Sequence, residues 1–554
     1  MSARWRLTPQ QPTDVDSVVE PVFAGELPAE LSPAFLAGSG FSGALGQVLH
    51  LPGEPVRVLL GCGPRAAFDA TATRTAAAHL ARAVPNYRRL ALHAPGPHLR
   101  HLAEGYLLGS YRYPGHFSAE VATTRTPPDQ LITLVVPPAP DTTPEPAWTG
   151  PGLTAGTAHP DATSDRTGPT LTTSDGRPTP DRTGPSVAPT AADGAPTGSA
   201  PSPRSWTGPS WTGPGLRGGA CADPETALAA GLRIGEAVRL ARDLVNEPGQ
   251  ELTPPVFAER ALKLAAETGL ECEVWDAQRI AHERLGGLLG VSRGSLVPPR
   301  LVRLRYRPAG ATRRIALVGK GVTYDAGGLA LKPNAELATM KADMAGAATV
   351  LAAMSTLTTL NCPVAVDGWL PLTENMPNAD PIRVGDVLRM RSGTTVEVRH
   401  ADAEGRLIMA DALTLAAETR PDAILDLATL TDAAAVALGR RIAAVLGTDP
   451  ALVARVQAAG ARAGERCWPL PLPEEYRGQL DSRVADLVNY TIGVRHGTAM
   501  LAALFLREFV PTGIPWAHLD IQGTALSDLD DPEWGLGGTG FGVRTLVELL
   551  VSGG

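Results

Sequence analysis

Ile315-Ala316-Leu317-Val318-Gly319-Lys320-Gly321-Val322-Thr323-Tyr324-Asp325-Ala326-Gly327-Gly328 is the stretch whose reading decides the fold. Its first four residues form a short unbroken apolar run ending at glycine, the pattern of a strand buried on both faces of a parallel or mixed sheet. Similar runs recur at Leu301 to Tyr306, Val364 to Val366, Ala423 to Leu427 and Trp516 to Ile521, with Glu273-Val274-Trp275 a further strand candidate. Helical patterns alternate with them, so an α/β architecture with a central mixed sheet is expected. Ligands of such sheets bind beyond the carboxyl ends of the strands. Lys320 and Asp325 follow the run Ile315 to Val318 directly, which is where a site belongs.

Outward from there the chain divides into four parts. Residues 1–136 read as a small N-terminal α/β domain, with strands at Val56 to Leu60, Arg89 to Leu92 and Leu131 to Val136 and helices at Thr75 to Ala83 and Leu102 to Tyr111. Residues 137–222 turn abruptly to Pro, Thr, Gly, Ser and Asp, with irregular units such as Trp206-Thr207-Gly208-Pro209. Too little aliphatic material is present there to offset the entropy of ordering, so a disordered insert is expected. A linking helix, Pro224 to Asn246, falls in residues 223–249 and stops at Glu247-Pro248-Gly249. Residues 250–554 form the larger domain.

Composition narrows the function. A net charge of −8 across 554 residues does not suggest a nucleic-acid or anionic-membrane binder. Five scattered cysteines without a CxxC pair point to a reduced compartment rather than a disulfide scaffold. The first residues lack the apolar core of a secretory signal, and no run of about 18 apolar residues occurs, so a cytoplasmic protein is expected. There is no HExxH, GxSxG or GxxxxGK[ST] motif. What stands out is a set of acids and bases among small residues: Lys320, Asp325, Lys332, Asp343, Asp402, Glu404 and Arg406. Hard oxygen donors in apolar, glycine-rich surroundings read as ligands for divalent metal.

The segments Val318 to Lys332, Met340 to Val350, Asp402-Ala403-Glu404-Gly405-Arg406-Leu407 and Asp426 to Thr431 resemble the leucyl aminopeptidase family of dinuclear-metal exopeptidases. So do Ala241 to Asn246, Pro371 to Pro377, His518 to Ile521 and Gly538 to Gly542. The likeness runs from about Ala229 to the C-terminus and is weak in the first 136 residues. It implies that Lys320, Asp325, Asp343, Asp402 and Glu404 hold two divalent ions, Mn²⁺ or Zn²⁺ with Mg²⁺ also suitable. It implies that Lys332 and Arg406 are catalytic, Arg406 holding a bicarbonate ion. Met340, Thr429 and Leu430 correspond to substrate-binding positions. The implied reaction is release of N-terminal residues from peptides with a free N-terminus, through a hydroxide bridging the two ions, in a homohexamer. Four carboxylates balance two dications, and Lys320 could ligate only as the neutral amine.

The chain departs from the family in two places. His400-Ala401 stands where Asn-Thr is usual. Were that segment extended, His400, Asp402, Glu404 and Arg406 would share one face. His400 then reads as a substrate-pocket residue or a hydrogen-bonding partner of the site, as a solvated or internally satisfied histidine, or as an extra metal ligand. Asp432 replaces the glycine of Leu-Thr-Gly, and a carboxylate there would favour basic or polar N-terminal residues. Two other classes stay open at this level: a two-metal hydrolase of another ester or amide, and a DNA-binding regulator. The first lacks a basic phosphate-binding loop, and the second lacks a basic surface signature.

Overall fold

The computed structural model describes residues 3–94, 96–113, 115–116, 128–136 and 223–553. The expected disordered insert at 137–222 lies outside the described residues. The first six strands are β1 (Ala3–Thr8), β2 (Ser17–Val22), β3 (Val48–Leu51), β4 (Val56–Gly61), β5 (Arg89–His93) and β6 (Gln130–Val135), in the order β1-β6-β5-β2-β4-β3. All neighbours run parallel except β3 and β4. Two helices pack together on this sheet, α1 (Ala70–Ala83) and α2 (Leu99–Ser110). They touch closely because α2 carries glycines at the contact: a Cβ on Gly105 would lie 2.0 Å from the Arg74 carbonyl oxygen, and one on Gly109 2.1 Å from that of Ala78.

Helix α3 (Pro224–Asn246) starts as its sequence says it should. Asp223 accepts hydrogen bonds from the Glu225 and Thr226 amides, and proline opens the first turn.

The later strands are β7 (Glu271–Trp275), β8 (Arg300–Tyr306), β9 (Arg314–Gly319), β10 (Gly321–Asp325), β11 (Ala365–Asn375), β12 (Val387–Arg389), β13 (Thr395–Glu397), β14 (Ala423–Ala428), β15 (Ala443–Gly447), β16 (Cys467–Pro469), β17 (Leu487–Val488) and β18 (Trp516–Asp520). The large sheet has the order β16-β15-β18-β14-β9-β11-β8-β7, with β10 pairing the far end of β11. Its centre, β18-β14-β9-β11, is parallel, while β15 and β8 are antiparallel to their inner neighbours. A separate small sheet joins β12, β13 and β17.

Alternation along β9 divides the interior in two. Ile315 and Leu317 join the apolar cluster containing α4 (Ala345–Met354), every residue of which is buried. Ala316 and Val318 join the cluster on the other side, with α5 (Gly405–Glu418). The expectation of a strand buried on both faces is met, residue by residue.

Several local expectations need correcting. Gly321–Asp325 is a further strand that the sequence pattern does not mark, and Asp325 stands at its end. Its pairing to the end of β11 is long-range and leaves no periodic signal in five residues. The strand anticipated at Val364 to Val366 begins at Ala365 and continues to Asn375; Pro371 stays in register with Leu301 of β8 and falls on the other edge between the stretch paired to β9, which ends at Trp369, and the stretch paired to β10, which starts at Leu372. His400 to Arg406 is not extended: a turn at Ala401 and Asp402 leads into α5, which already contains Arg406. The common face inferred from a period of two therefore does not exist. The side chains converge because a turn and a helix start bring them together.

Candidate metal centre

Four chain segments end at one spot beyond the carboxyl ends of the central strands. β9 delivers Lys320, β10 delivers Asp325, the short turn at Met340–Ala342 delivers Asp343, and β14 delivers Thr429. The turn into α5 adds Asp402 and Glu404. Asp325, Asp343 and Glu404 each place a carboxylate oxygen within 4.8 Å of the others. Asp402 stands alongside, linked through Lys332, whose Nζ lies 2.9 Å from Asp325 Oδ2 and 2.6 Å from Asp402 Oδ1. Lys320 Nζ crosses the other side, donating to Asp343 Oδ1 at 2.7 Å and to the Thr429 carbonyl at 2.8 Å, with Glu404 Oε1 at 2.9 Å. All five expected ligands and Lys332 are therefore in one cluster.

Glycines make the convergence possible. Gly327 has φ +86°, and a Cβ there would meet the Ala330 carbonyl oxygen at 2.5 Å and Asp402 Oδ1 at 2.9 Å. A Cβ on Gly405 would lie 2.5 Å from Lys320 Cε. Only a residue without a side chain lets α5 begin against that amine.

The electrostatics are those of crowded acids. Burial, reinforced by the charges of Asp325 and Glu404, pushes Asp402 up to about 7. Burial also raises Asp343 well above the usual carboxylate range and raises Asp325, whose Glu404 neighbour adds to the effect. Glu404 goes the other way: burial would raise it, but the Lys320 and Lys332 ammoniums hold it down. Both lysines are driven above their ordinary value, since the surrounding carboxylates outweigh their burial.

The residues fit divalent cations. Asp343 Oδ2 is buried and has no hydrogen-bond partner, an arrangement that costs free energy unless something positive meets it. Only two ammoniums stand among four carboxylates, so full ionisation of the cluster leaves surplus negative charge for cations to neutralise. Oxygen donors with one amine suit Mn²⁺, Zn²⁺ or Mg²⁺. Arg406 is buried and lines the same pocket; burial lowers it to about 10, so it remains charged at neutral pH. Its Nη1 donates to the Asn489 carbonyl at 2.8 Å, and its Nε is buried without a partner.

The expected substrate residues separate into two groups. Met340, Thr429, Leu430 and Asp432 line the pocket with the cluster. Within it, the Thr429 hydroxyl is turned to Asp343, donating to Oδ1 at 2.7 Å. Leu430 is held by its amide on Asp520 Oδ1. Asp432 is exposed and accepts from Gln522 Nε2 at 3.2 Å. His400 is not among the lining residues. Its Nδ1 accepts the Asp402 amide at 3.2 Å and its ring packs on Tyr490, so it props the turn carrying that ligand.

Three residues that sequence reading passed over belong to the site. Asn375 Nδ2 donates to Asp325 Oδ1 at 2.9 Å and to the Ala401 carbonyl at 3.1 Å. Gln522 lines the pocket opposite Asp432. Asn489, buried in the segment after β17, grips the turn before α5. Asn375 and Gln522 lie in or beside segments already marked by the resemblance; nothing in the sequence around Asn489 marks it. Of the histidines, His518 is buried and hydrogen-bonded, with Nδ1 2.5 Å from Asp426 Oδ1.

Comparison with known proteins agrees with this geometry. The cytosol aminopeptidase family's catalytic-domain profile matches residues 239–547, and its N-terminal-domain profile matches residues 25–116. A probable cytosol aminopeptidase of Leifsonia xyli subsp. xyli is 50% identical over 335 residues, spanning 58% of this chain and 66% of that protein. One from Streptomyces griseus subsp. griseus is 38% identical over 546 residues, spanning 96% of this chain and 91% of that protein. Among solved structures, the bottromycin maturation enzyme BotP in complex with Mn has a TM-score of 0.76 at 37% identity, covering 97% of this chain and 99% of its own. A mutant of tomato leucine aminopeptidase shares the fold, with a TM-score of 0.74 at 24% identity over 99% of this chain and 96% of its own. The molecule is thus of the metal-dependent exopeptidase class. The chain belongs to the cytosol aminopeptidase family. Among the described residues, no helix is long and apolar enough to cross a membrane.

Proposed function

We propose that the chain releases N-terminal residues from peptides with a free α-amine, using two divalent ions held by Lys320, Asp325, Asp343, Asp402 and Glu404. The observation that carries this reading is the crossed pairing of two lysines over four carboxylates, with Asp343 Oδ2 left buried and unpartnered. Bound there, divalent cations would supply Lewis acidity and an activated water near neutral pH.

The chain's own groups do the rest. Lys332 Nζ, freed from Asp325 and Asp402 as their charge is neutralised, donates to the scissile carbonyl oxygen as negative charge builds on it. Arg406 is too basic to take a proton itself. Its partnerless Nε supports the reading that its guanidinium holds an anion such as bicarbonate, which would accept the proton. Met340, Leu430 and Asp432 bound the space for the first side chain, and Asp432 favours basic or polar residues there. His400 and Thr429 hold Asp402 and Asp343 in place. The hexameric assembly rests on the resemblance alone; the cytoplasmic location rests on the scattered cysteines, and zinc on the resemblance and the mixed oxygen and amine donor set. Manganese has the added support of the similarity to BotP.

The test compares matched peptides with free and acetylated N-termini, in metal-stripped protein and after adding back Mn²⁺ or Zn²⁺. Release of the first residue only from the free peptide, and only with metal, is expected. Cleavage of both peptides, or of neither, would overturn the reading.

A further inference from the structure

The turn that carries Asp402 and Glu404 has almost no regular structure of its own. It leaves β13 at Glu397, crosses Arg399 to Ala403 and becomes α5 at Gly405. A segment of this kind holds a fixed geometry only if something outside it takes up its backbone groups. One side chain does most of this. Asn489 is fully buried. Its Oδ1 accepts from the Arg399 amide at 2.7 Å and the His400 amide at 3.3 Å. Its Nδ2 donates to the His400 carbonyl at 2.9 Å and the Ala403 carbonyl at 3.3 Å. Its own amide donates to the Glu397 carbonyl at 3.1 Å, and its own carbonyl accepts from Arg406 Nη1 at 2.8 Å.

We propose that Asn489 is a positioning residue for the metal centre, a single amide that sets the turn bearing Asp402 and Glu404 and, through its backbone carbonyl, the direction of the Arg406 guanidinium. The inference rests on the reading of those two acids as metal ligands.

Three features of the arrangement support it. The side chain satisfies both a donor pair and an acceptor pair of one turn, which no hydroxyl or carboxylate of that size can do. The turn has few other supports: Asn375 holds the Ala401 carbonyl from the opposite side, and His400 holds the Asp402 amide from within. Among the described residues the guanidinium of Arg406 makes no other hydrogen bond, so a shift in the Asn489 backbone moves its anchor. Asn489 itself touches neither substrate space nor the carboxylates.

The test uses the full-length protein and reads Mn²⁺ binding by calorimetry together with thermal unfolding and steady-state kinetics. Asn489→Ala removes both halves of the amide. Asn489→Asp keeps the Oδ1 acceptor and replaces the donor with a second oxygen facing the His400 and Ala403 carbonyls. Gln130→Ala is the control, because Gln130 is also a buried amide pinning two backbone carbonyls, those of Val84 and Tyr87, but in the N-terminal domain. We expect both Asn489 variants to weaken Mn²⁺ binding by about 10- to 100-fold, the usual worth of groups that orient metal ligands. In metal-saturated protein, kcat should fall with KM little changed. Gln130→Ala should lower the melting temperature yet leave Mn²⁺ affinity and kcat alone. Should Asn489→Ala not fold, Asn489→Asp gives the same comparison.

Wild-type Mn²⁺ affinity retained in a folded Asn489 variant would overturn the inference, as would an equal loss in Gln130→Ala. Absence of Mn²⁺ binding in the wild-type protein would instead overturn the reading of the site.

Discussion

The Thr429 hydroxyl donates to Asp343 Oδ1 at 2.7 Å, while the other oxygen of that carboxylate is buried with no partner. One oxygen is thus fixed by a residue at the end of β14, and the second is left for a ligand. Thr429→Val keeps the shape and removes the donor. Mn²⁺ affinity measured by calorimetry should drop about 10-fold, and an unchanged affinity would mean that Lys320 alone orients the carboxylate.

Lys332 sits between Asp325 and Asp402, close enough to either to be a mere neutralising charge. Assigned to the substrate carbonyl, it acts chiefly in the transition state. Lys332→Met should lower kcat by roughly 10²–10³, with KM nearly constant, as for loss of an oxyanion donor. A change confined to KM, or to metal affinity, would reduce it to a structural cation.

Metal should also stabilise the fold. Ions that bind only the native protein contribute about 2.7 kcal/mol at 100 times Kd. Dialysis against chelator should therefore lower the melting temperature and abolish peptidase activity, and both should return on adding Mn²⁺. Full activity after exhaustive chelation would sink the proposed chemistry.

Far from the site, His101 in α2 gives a pH signature. Burial pushes it down to about 4; Glu104 pulls it up, while Arg100 and Arg74 push it further down. Its Nδ1 is buried and unpartnered. A folded value below the unfolded one near 6.5 means that the unfolded chain binds the extra proton. Stability from this group is complete above pH 6.5 and falls as pH drops toward 4, by at most about 1.4 kcal/mol per pH unit. His101→Gln should flatten the plot of melting temperature against pH in that window.

Asp432 offers a charge at the pocket's outer wall, with only Gln522 as a hydrogen-bond partner among the described residues. Comparing Arg, Lys and Leu anilides, Asp432→Gly should reduce the preference for basic residues about two- to fivefold, the size an exposed ion pair supports. Strong leucine preference in the wild-type protein would count against the assignment.

How much of this could be read beforehand depended on whether the signal was local. The run Ile315 to Val318 announced its strand, since burial on two faces forces four apolar residues in a row. Helix α3 could be placed to the residue, because Asp223, Pro224 and Pro248 act on their immediate neighbours. The charged ligands were legible because carboxylates and lysines are conspicuous among glycines. Asn489 was not, since its importance comes from partners 83 to 89 positions away in the chain. The same holds for β10, whose pairing with β11 spans some 50 residues. The turn at Ala401 and Asp402 was not legible either, because spacing alone cannot distinguish a short extended segment from a bend followed by a helix.

The division of β9 between two interiors has an evolutionary consequence. Ile315 to Val318 cannot change without disturbing one packing or the other, so the stem beneath Lys320 is immovable. Diversification must then act on the rim, at Leu430, Asp432 and Gln522, where a new side chain alters what enters while the reactive floor stays put.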